Sequence, residues 1–213
     1  RVVSVETRER REQPPRLYDL TALQRDANRL LGYTAQQTLD YAQSLYEKQL
    51  LTYPRTDSRY LPQGMTEKAR ELAAYAAAAL PFAAGLSLPC HPRQLAGKVS
   101  DHHALLPTAA LRDHPLDALP AGERSVLTLV AARLLCAAGE ACVMLETTAR
   151  LECEGVSFTA RGKRTVHPGW RALDAAFRAT LKSREREEEE NGLPPLNERM
   201  TFLPVTASIR EGK

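Results

Sequence analysis

Residues 50–62 read LLTYPRTDSRYLP. Two tyrosines, two arginines and two prolines surround a Thr-Asp-Ser core, a mixture that suits neither a buried strand nor an ordinary solvated loop. Pro54 confines Tyr53 to extended backbone, so any helix before it must end ahead of it. In extended chain, residues two apart project to one side, and Tyr53 and Arg55 therefore point together. A free phenol titrates near pH 10, which leaves about one tyrosine in a thousand ionised at neutral pH. A neighbouring cation favours the phenolate and also binds the charge of a phosphoryl group in transfer. A phosphotyrosine ester conserves the energy of the bond it replaces, so its reversal needs no nucleotide. Asp57 is placed to orient Arg55, and Thr52, Thr56 and Ser58 offer hydroxyls to phosphate oxygens. The plainer alternative packs the Tyr53 ring on the core and pairs Arg55 with Asp57 at the surface. The segment alone leaves both open.

Upstream, the apolar period becomes helical. Leu23, Ala27, Leu30 and Leu31 share a face, Thr21 and Gln24 have capping-box spacing, and Gly32 stands where a left-handed cap belongs. A second helix follows, with Thr34 and Gln37 as its capping box and Leu39, Ala42, Leu45 and Tyr46 as its stripe, to about Gln49. Two helices joined by Gly-Tyr-Thr suggest a helix-turn-helix. That supplies a rival function, a duplex-binding module without catalysis, reading base edges through Gln36, Gln37 and Gln43. Its weak charge, Lys48 against Asp40 and Glu47, counts against it. A structural or interaction domain with no activity is a third reading.

Downstream, a helix is expected over about residues 66–80, ending before Pro81. The loop-rich stretch 87–108 must be ordered by tertiary contacts. Another helix spans about 122–138 and closes at Gly139. After Thr147 the period becomes two: Ala149, Leu151 and Cys153 alternate with polar residues, Glu154-Gly155 makes a tight turn, and Val156, Phe158 and Ala160 answer on the return. At the start, VVSVET suits a strand that Pro14-Pro15 interrupts, and MTFLPVTASIR near the end alternates again. Strand, helices, then strands predict an α+β fold. Residues 20–144 form a helical domain inserted between two parts of a β-rich domain, 1–19 and 145–213.

Composition narrows the class. The chain has 213 residues, 26% of them charged, with a formal net charge of +3. That permits a nucleic-acid partner without demanding one. No run reaches the roughly 18 apolar residues of a membrane span, and residues 1–15 lack the apolar core of a secretory signal. Cys90, Cys136, Cys142 and Cys153 show no CxxC spacing, which predicts reduced thiols in a cytoplasmic protein. Asp101, His102 and His103 are neighbours whose side chains project apart, with no further ligand cluster, so no metal is assigned to this chain. The acidic run 185–190 reads as a solvated linker.

The string 50–62 resembles the active-site signature of type IA DNA topoisomerases. Residues 14–49, PPRLYDLTALQRDANRLLGYTAQQTLDYAQSLYEKQ, resemble the approach to that signature. VSDHHALLPT, 99–108, is similar to the motif that follows it, in the form typical of the topoisomerase III branch. FTARGKRTVHPGWRAL (158–173) and FLPVTASIREGK (202–213) are similar to the family with less specificity. The resemblance implies a helical domain bearing the active-site tyrosine within a β-rich arch. It makes Tyr53 the nucleophile that attaches to a 5′ phosphate of single-stranded DNA, with Arg55 stabilising the phosphate and His102 assisting. Thr52, Thr56, Asp57, Ser58, Arg59, Tyr60 and His103 are then expected along the DNA, Tyr60 either stacking on a base or packing against the loop. The family's magnesium is held by the acidic residues of a Toprim domain. This sequence shows no DxD pair and no Gly-rich phosphate loop. It is therefore expected to be a fragment, with Mg2+ bound by the Toprim part of the same polypeptide and little activity of its own. The implied enzyme is ATP-independent, bacterial, cytoplasmic and associated with the nucleoid, with single-stranded DNA as partner and no membrane.

Overall fold

The computed structural model describes residues 1–99, 101–181 and 192–201. The acidic run 185–190 and the closing stretch 202–213 lie outside the described residues. The fold is α+β: five α-helices and a three-stranded antiparallel sheet among the described residues. These separate into two compact units. One comprises Arg1–Arg11, Val143–His167 and, beyond them, residues 192–201; the other comprises Glu12–Cys142 and residues 168–181.

The larger unit is helical. Helix α1 is Leu20–Leu31. Its cap is Asp19, whose carboxylate accepts from Ala22 N at 2.6 Å. Thr21, expected in that role, is exposed inside the first turn, and Gln24 reaches forward to Ala35 O at 3.0 Å instead. A carboxylate two residues earlier satisfies the first free amides and answers their positive pole. Gly32 ends the helix at φ 73°, as its position predicts. Helix α2, Ala35–Glu47, starts with the expected box: Gln37 N donates to Thr34 Oγ1 at 3.1 Å, and Thr34 N to Gln37 Oε1 at 2.9 Å. Helix α3, Thr66–Ala79, stops at Leu80 before Pro81.

Helix α4, Ala121–Ala138, is buried nearly all round and is the centre of this unit. It packs against α2, α3 and α1. Its one buried carboxylate, Glu123, is 7% exposed and meets Lys48 Nζ and Ser44 Oγ, the latter at 2.9 Å. After the sheet the chain returns as α5, Arg171–Thr180, which lays Leu173 and Phe177 on α4. No helix was expected there, although Leu173 and Phe177 have i, i+4 spacing and Asp174 bonds Arg178 at 2.7 Å. Trp170 is structural, its indole donating to Glu12 O at 3.3 Å. The loop-rich stretch is held from outside itself: His91 N bonds Ala138 O at 2.7 Å, and the Gln94 amide bridges Ala137 O and Gly139 O, both at 2.7 Å.

The smaller unit holds the sheet, ordered β1 (Val2–Glu12), β2 (Cys142–Cys153), β3 (Val156–His167). The hairpin has the expected register, with Ala149 opposite Ala160, Leu151 opposite Phe158 and Cys153 opposite Val156. Glu154 and Gly155 carry φ of 50° and 77°, the two positive values that a twisted two-residue turn requires. Thr7 and Thr147 share a hydroxyl hydrogen bond of 3.0 Å between β1 and β2. Most side chains of β1 and β3 are exposed, including Val156, Phe158 and Val166 at 55%, 54% and 55%.

No helix is long and apolar enough to cross a membrane among the described residues. None of the four cysteines is in a disulfide. Burial pushes the Cys136 thiol up to about 12.

Candidate active site

Residues 50–62 leave the end of α2 and run along it. Gln49 takes φ 60°, which turns the chain, and Leu50 and Leu51 sink into the core at 1% exposure each. From there the loop is stitched to the residues of the second motif. Thr52 N donates to Leu106 O and Leu106 N donates to Thr52 Oγ1, both at 3.0 Å. Leu51 and Pro107 form an antiparallel bridge. Further along, Thr56 Oγ1 donates to His102 O at 3.1 Å, and Ala104 N to Tyr60 O at 3.0 Å. The first motif joins them, through Leu20 N to Thr56 O at 3.1 Å and Leu105 N to Tyr18 O at 2.8 Å. Three segments distant in sequence thus share one backbone network.

Beyond Pro54, burial alternates: Arg55 and Asp57 are exposed, while Thr56 and Ser58 are 5% and 8% exposed. The hydroxyls of Thr56 and Ser58 are engaged within the chain. Thr56 Oγ1 accepts from Ser58 N at 3.1 Å, and Ser58 Oγ accepts from Tyr60 N at 3.2 Å. They hold the loop extended rather than facing outward, the geometry that a phosphate contact would need. The Thr52 hydroxyl, half-buried, takes the Leu106 amide described above.

Tyr53 and Arg55 do point the same way, towards α2. The Tyr53 ring meets the edge of Tyr46 at 5.6 Å, and the Arg55 guanidinium donates to Gln43 Oε1 at 2.8 Å. Gln43 and Tyr46 are neighbours on one helix face. Asp57, expected to orient Arg55, is exposed, and Gln43 performs that task. Gln43 was legible only as a base-reading residue of a helix-turn-helix. Of the other two glutamines on which that rival rests, Gln36 bonds Asp40 at 2.7 Å and Gln37 closes the capping box.

His102 is exposed, and its ring lies 4.4 Å from the Tyr53 ring with a tilt of 42°. The structure therefore brings together Tyr53, Arg55 and His102, with Tyr46 and Gln43 as additions. His103 turns away and places Nδ1 2.7 Å from Ala104 O. Arg59 donates from Nε to Leu17 O at 3.2 Å, with Asp19 at 4.0 Å. Tyr60 is packed against two segments: a Cβ at Gly97 would lie 2.6 Å from the ring, and the Arg16 guanidinium lies 4.9 Å from its centroid.

Behind the site, Tyr18 anchors the network. Its phenol donates to Asp26 Oδ2 at 2.7 Å and accepts from Arg133 at 2.9 Å, and the Arg133 guanidinium lies 4.1 Å over its ring. Burial pushes this phenol far above the ordinary range, so it stays a neutral donor. No group of three or more His, Cys, Asp or Glu able to hold a metal occurs among the described residues. The carboxylate nearest in sequence to Tyr53 on its loop, Asp57, is exposed.

The DNA topoisomerase family model matches residues 1–213. DNA topoisomerase 3 of Bacillus cereus is 39% identical over 179 residues, covering 81% of this chain and 24% of the relative. DNA topoisomerase 3 of Bacillus subtilis is 34% identical over 209 residues, covering 93% and 28%. Full-length topoisomerase I from Thermotoga maritima has the same fold over 92% of this chain and 31% of its own, with a TM-score of 0.66 at 21% identity. The chain thus spans about a quarter of the curated relatives it matches. On the family match, the identities and this site together, the chain belongs to the DNA topoisomerases, in their type IA, topoisomerase III-like branch.

Proposed function

We propose that this chain carries the nucleophile of an ATP-independent topoisomerase that breaks and rejoins single-stranded DNA. The observation that supports this most is the common aim of Tyr53 and Arg55 from one pinned, extended loop, with the His102 ring against the phenol. The Tyr53 oxygen attacks a backbone phosphorus; the Tyr–O–P bond forms as the bond to the 3′ oxygen breaks. The phenolic proton ends on that 3′ oxygen, leaving a 3′ hydroxyl and a 5′-phosphotyrosine. Reversal returns both, so no nucleotide is consumed. Arg55, held by Gln43, presents its remaining N–H groups to the phosphate oxygens and stabilises the charge that builds there. His102 is placed to move the proton or to contact the phosphate. Thr52, Thr56 and Ser58 act as positioning residues that keep the loop extended.

Magnesium belongs to the family reading, and no group of three or more candidate ligands occurs among the described residues. We assign it to a Toprim domain of the same polypeptide, and no step above is routed through it. The site then works in the cytoplasm of a bacterium, on the nucleoid. Tyr53→Phe in the full-length enzyme is expected to abolish the covalent adduct with a labelled single-stranded oligonucleotide while leaving binding within about twofold. Adducts that persist in that variant would overturn the assignment. The 213 residues alone are expected to relax supercoiled plasmid negligibly; efficient relaxation would contradict a split of the site between domains.

A further inference from the structure

Beside the loop, a cleft of about 250 Å³ opens between residues 13–17 and the far end of the segment, lined by Arg16, Arg59, Tyr60, Gln13 and Gln94. We propose that this cleft is a second phosphate subsite, which takes a backbone phosphate of the same single strand through Arg16 and Arg59. The proposal rests on the single-strand reading above and extends it to a residue outside the signature.

Three observations converge. First, Arg16 is exposed, and its described interaction is the face of Tyr60 at 4.9 Å. An aromatic platform holds the guanidinium plane while leaving its N–H groups for a ligand. Second, Gly97 packs directly against the Tyr60 ring and leaves no room for a base there. A Cβ at Gly97 would stand 2.6 Å from its ring, so glycine is what lets the two segments close. The ring is a shelf for Arg16, which explains a tyrosine here better than base stacking does. Third, Arg59 is fixed by Leu17 O at 3.2 Å through Nε, which leaves its terminal nitrogens for an acceptor. Odd-numbered side chains from Tyr53 to Arg59 lie on one side of the extended loop, as the alternation of burial shows. A strand seated at Tyr53 and Arg55 therefore has a continuous path to Arg59. That path spans at most about 20 Å for six residues of extended chain, a few nucleotides. Two carboxylates temper the site: Asp57 on the path, exposed, and Asp19 at 4.0 Å from Arg59. Asp57 disfavours phosphate between the two ends, and Asp19 offsets part of the Arg59 charge, which leaves Arg16 the larger share of the contact.

The test measures binding of a fluorescent oligodeoxythymidylate to the full-length enzyme by anisotropy, over a series of salt concentrations. Arg16→Ala is expected to raise Kd about three- to tenfold and to flatten the slope of log Kd against log salt by about 0.7, the value of one phosphate contact on a single strand. Arg16→Lys should keep most of the slope while losing part of the affinity, because ammonium does not use the aromatic shelf in the same way. Arg70→Ala, on the α3 surface beside Glu67, removes the same charge elsewhere and should leave both quantities unchanged. Equal loss in the Arg70 and Arg16 variants, or no change in the Arg16 variant, overturns the subsite and leaves the single-strand reading standing. Absence of binding by the unaltered enzyme overturns the single-strand reading, and the subsite with it.

Discussion

Helix α4 and strand β3 are opposites. From Val126 to Ala138 nearly every α4 residue is buried, whereas β3 buries little besides Gly162 and exposes Val156, Phe158 and Val166 by more than half. The first element earns its stability from packing, the second from its hydrogen-bonded ladder and turn. The candidate site hangs on the first. Its loop is anchored through Leu50, Leu51 and Leu61, each 1% exposed or less, in the same core that α4 fills. The phenol proposed as nucleophile thus stands on a loop anchored in the most completely packed part of the chain.

The largest effect that could break this contrast is a cavity. Leu127→Ala, with the native side chain fully buried, is expected to cost about 2–5 kcal/mol by chemical denaturation. Phe158→Ala, at 54% exposure, should stay within about 0.5 kcal/mol. Equal losses would remove the distinction. Next, Gly122→Ala would set a methyl 2.3 Å from the Tyr41 ring, and a loss of about 1–3 kcal/mol is expected from overpacking. Removing the α2 cap by Thr34→Ala should cost about 1 kcal/mol, read by the same titration.

Thiols sharpen the contrast without any substitution. Cys136 on α4 is buried and its thiol is pushed up to about 12, while Cys153 at the hairpin end is exposed. At pH 8 iodoacetamide should modify Cys153 in the folded protein and spare Cys136, as peptide mapping would report. The raised value also has a sign. The folded state holds the Cys136 proton more tightly than the unfolded chain does. Its contribution to stability is therefore complete below the ordinary thiol range near 9 and is lost as pH climbs towards about 12. The Tyr18 phenol, raised by burial, acts in the same direction. Thermal melts from pH 8 to 11 should show the helical transition falling; a rise would contradict the burial.

Local devices were legible in the sequence: the Thr34–Gln37 box, the left-handed Gly32 and the Glu154-Gly155 turn each depend on residues within a few positions. The cap of α1 was misread because Asp19 and Thr21 both have capping chemistry, and only the entry of the chain from Tyr18 selects between them. Helix α5 carries a Leu173–Phe177 pair, but its ten residues hold too few turns for the period to stand out. At the site, the aim of Tyr53 and Arg55 followed from Pro54 and the two-residue period. The grip of Gln43 on Arg55, the Tyr46 edge and the Arg16–Tyr60 shelf did not, because they join surfaces that meet only after α1, α2 and the loop have packed.

The double tie between Thr52 and Leu106, with the bond from Thr56 to the His102 carbonyl, makes one cassette of two stretches some fifty positions apart. In the strand-breaking reaction proposed above, phenol and imidazole would therefore travel as passengers on a single carriage. Their spacing is set by the ties of the cassette itself.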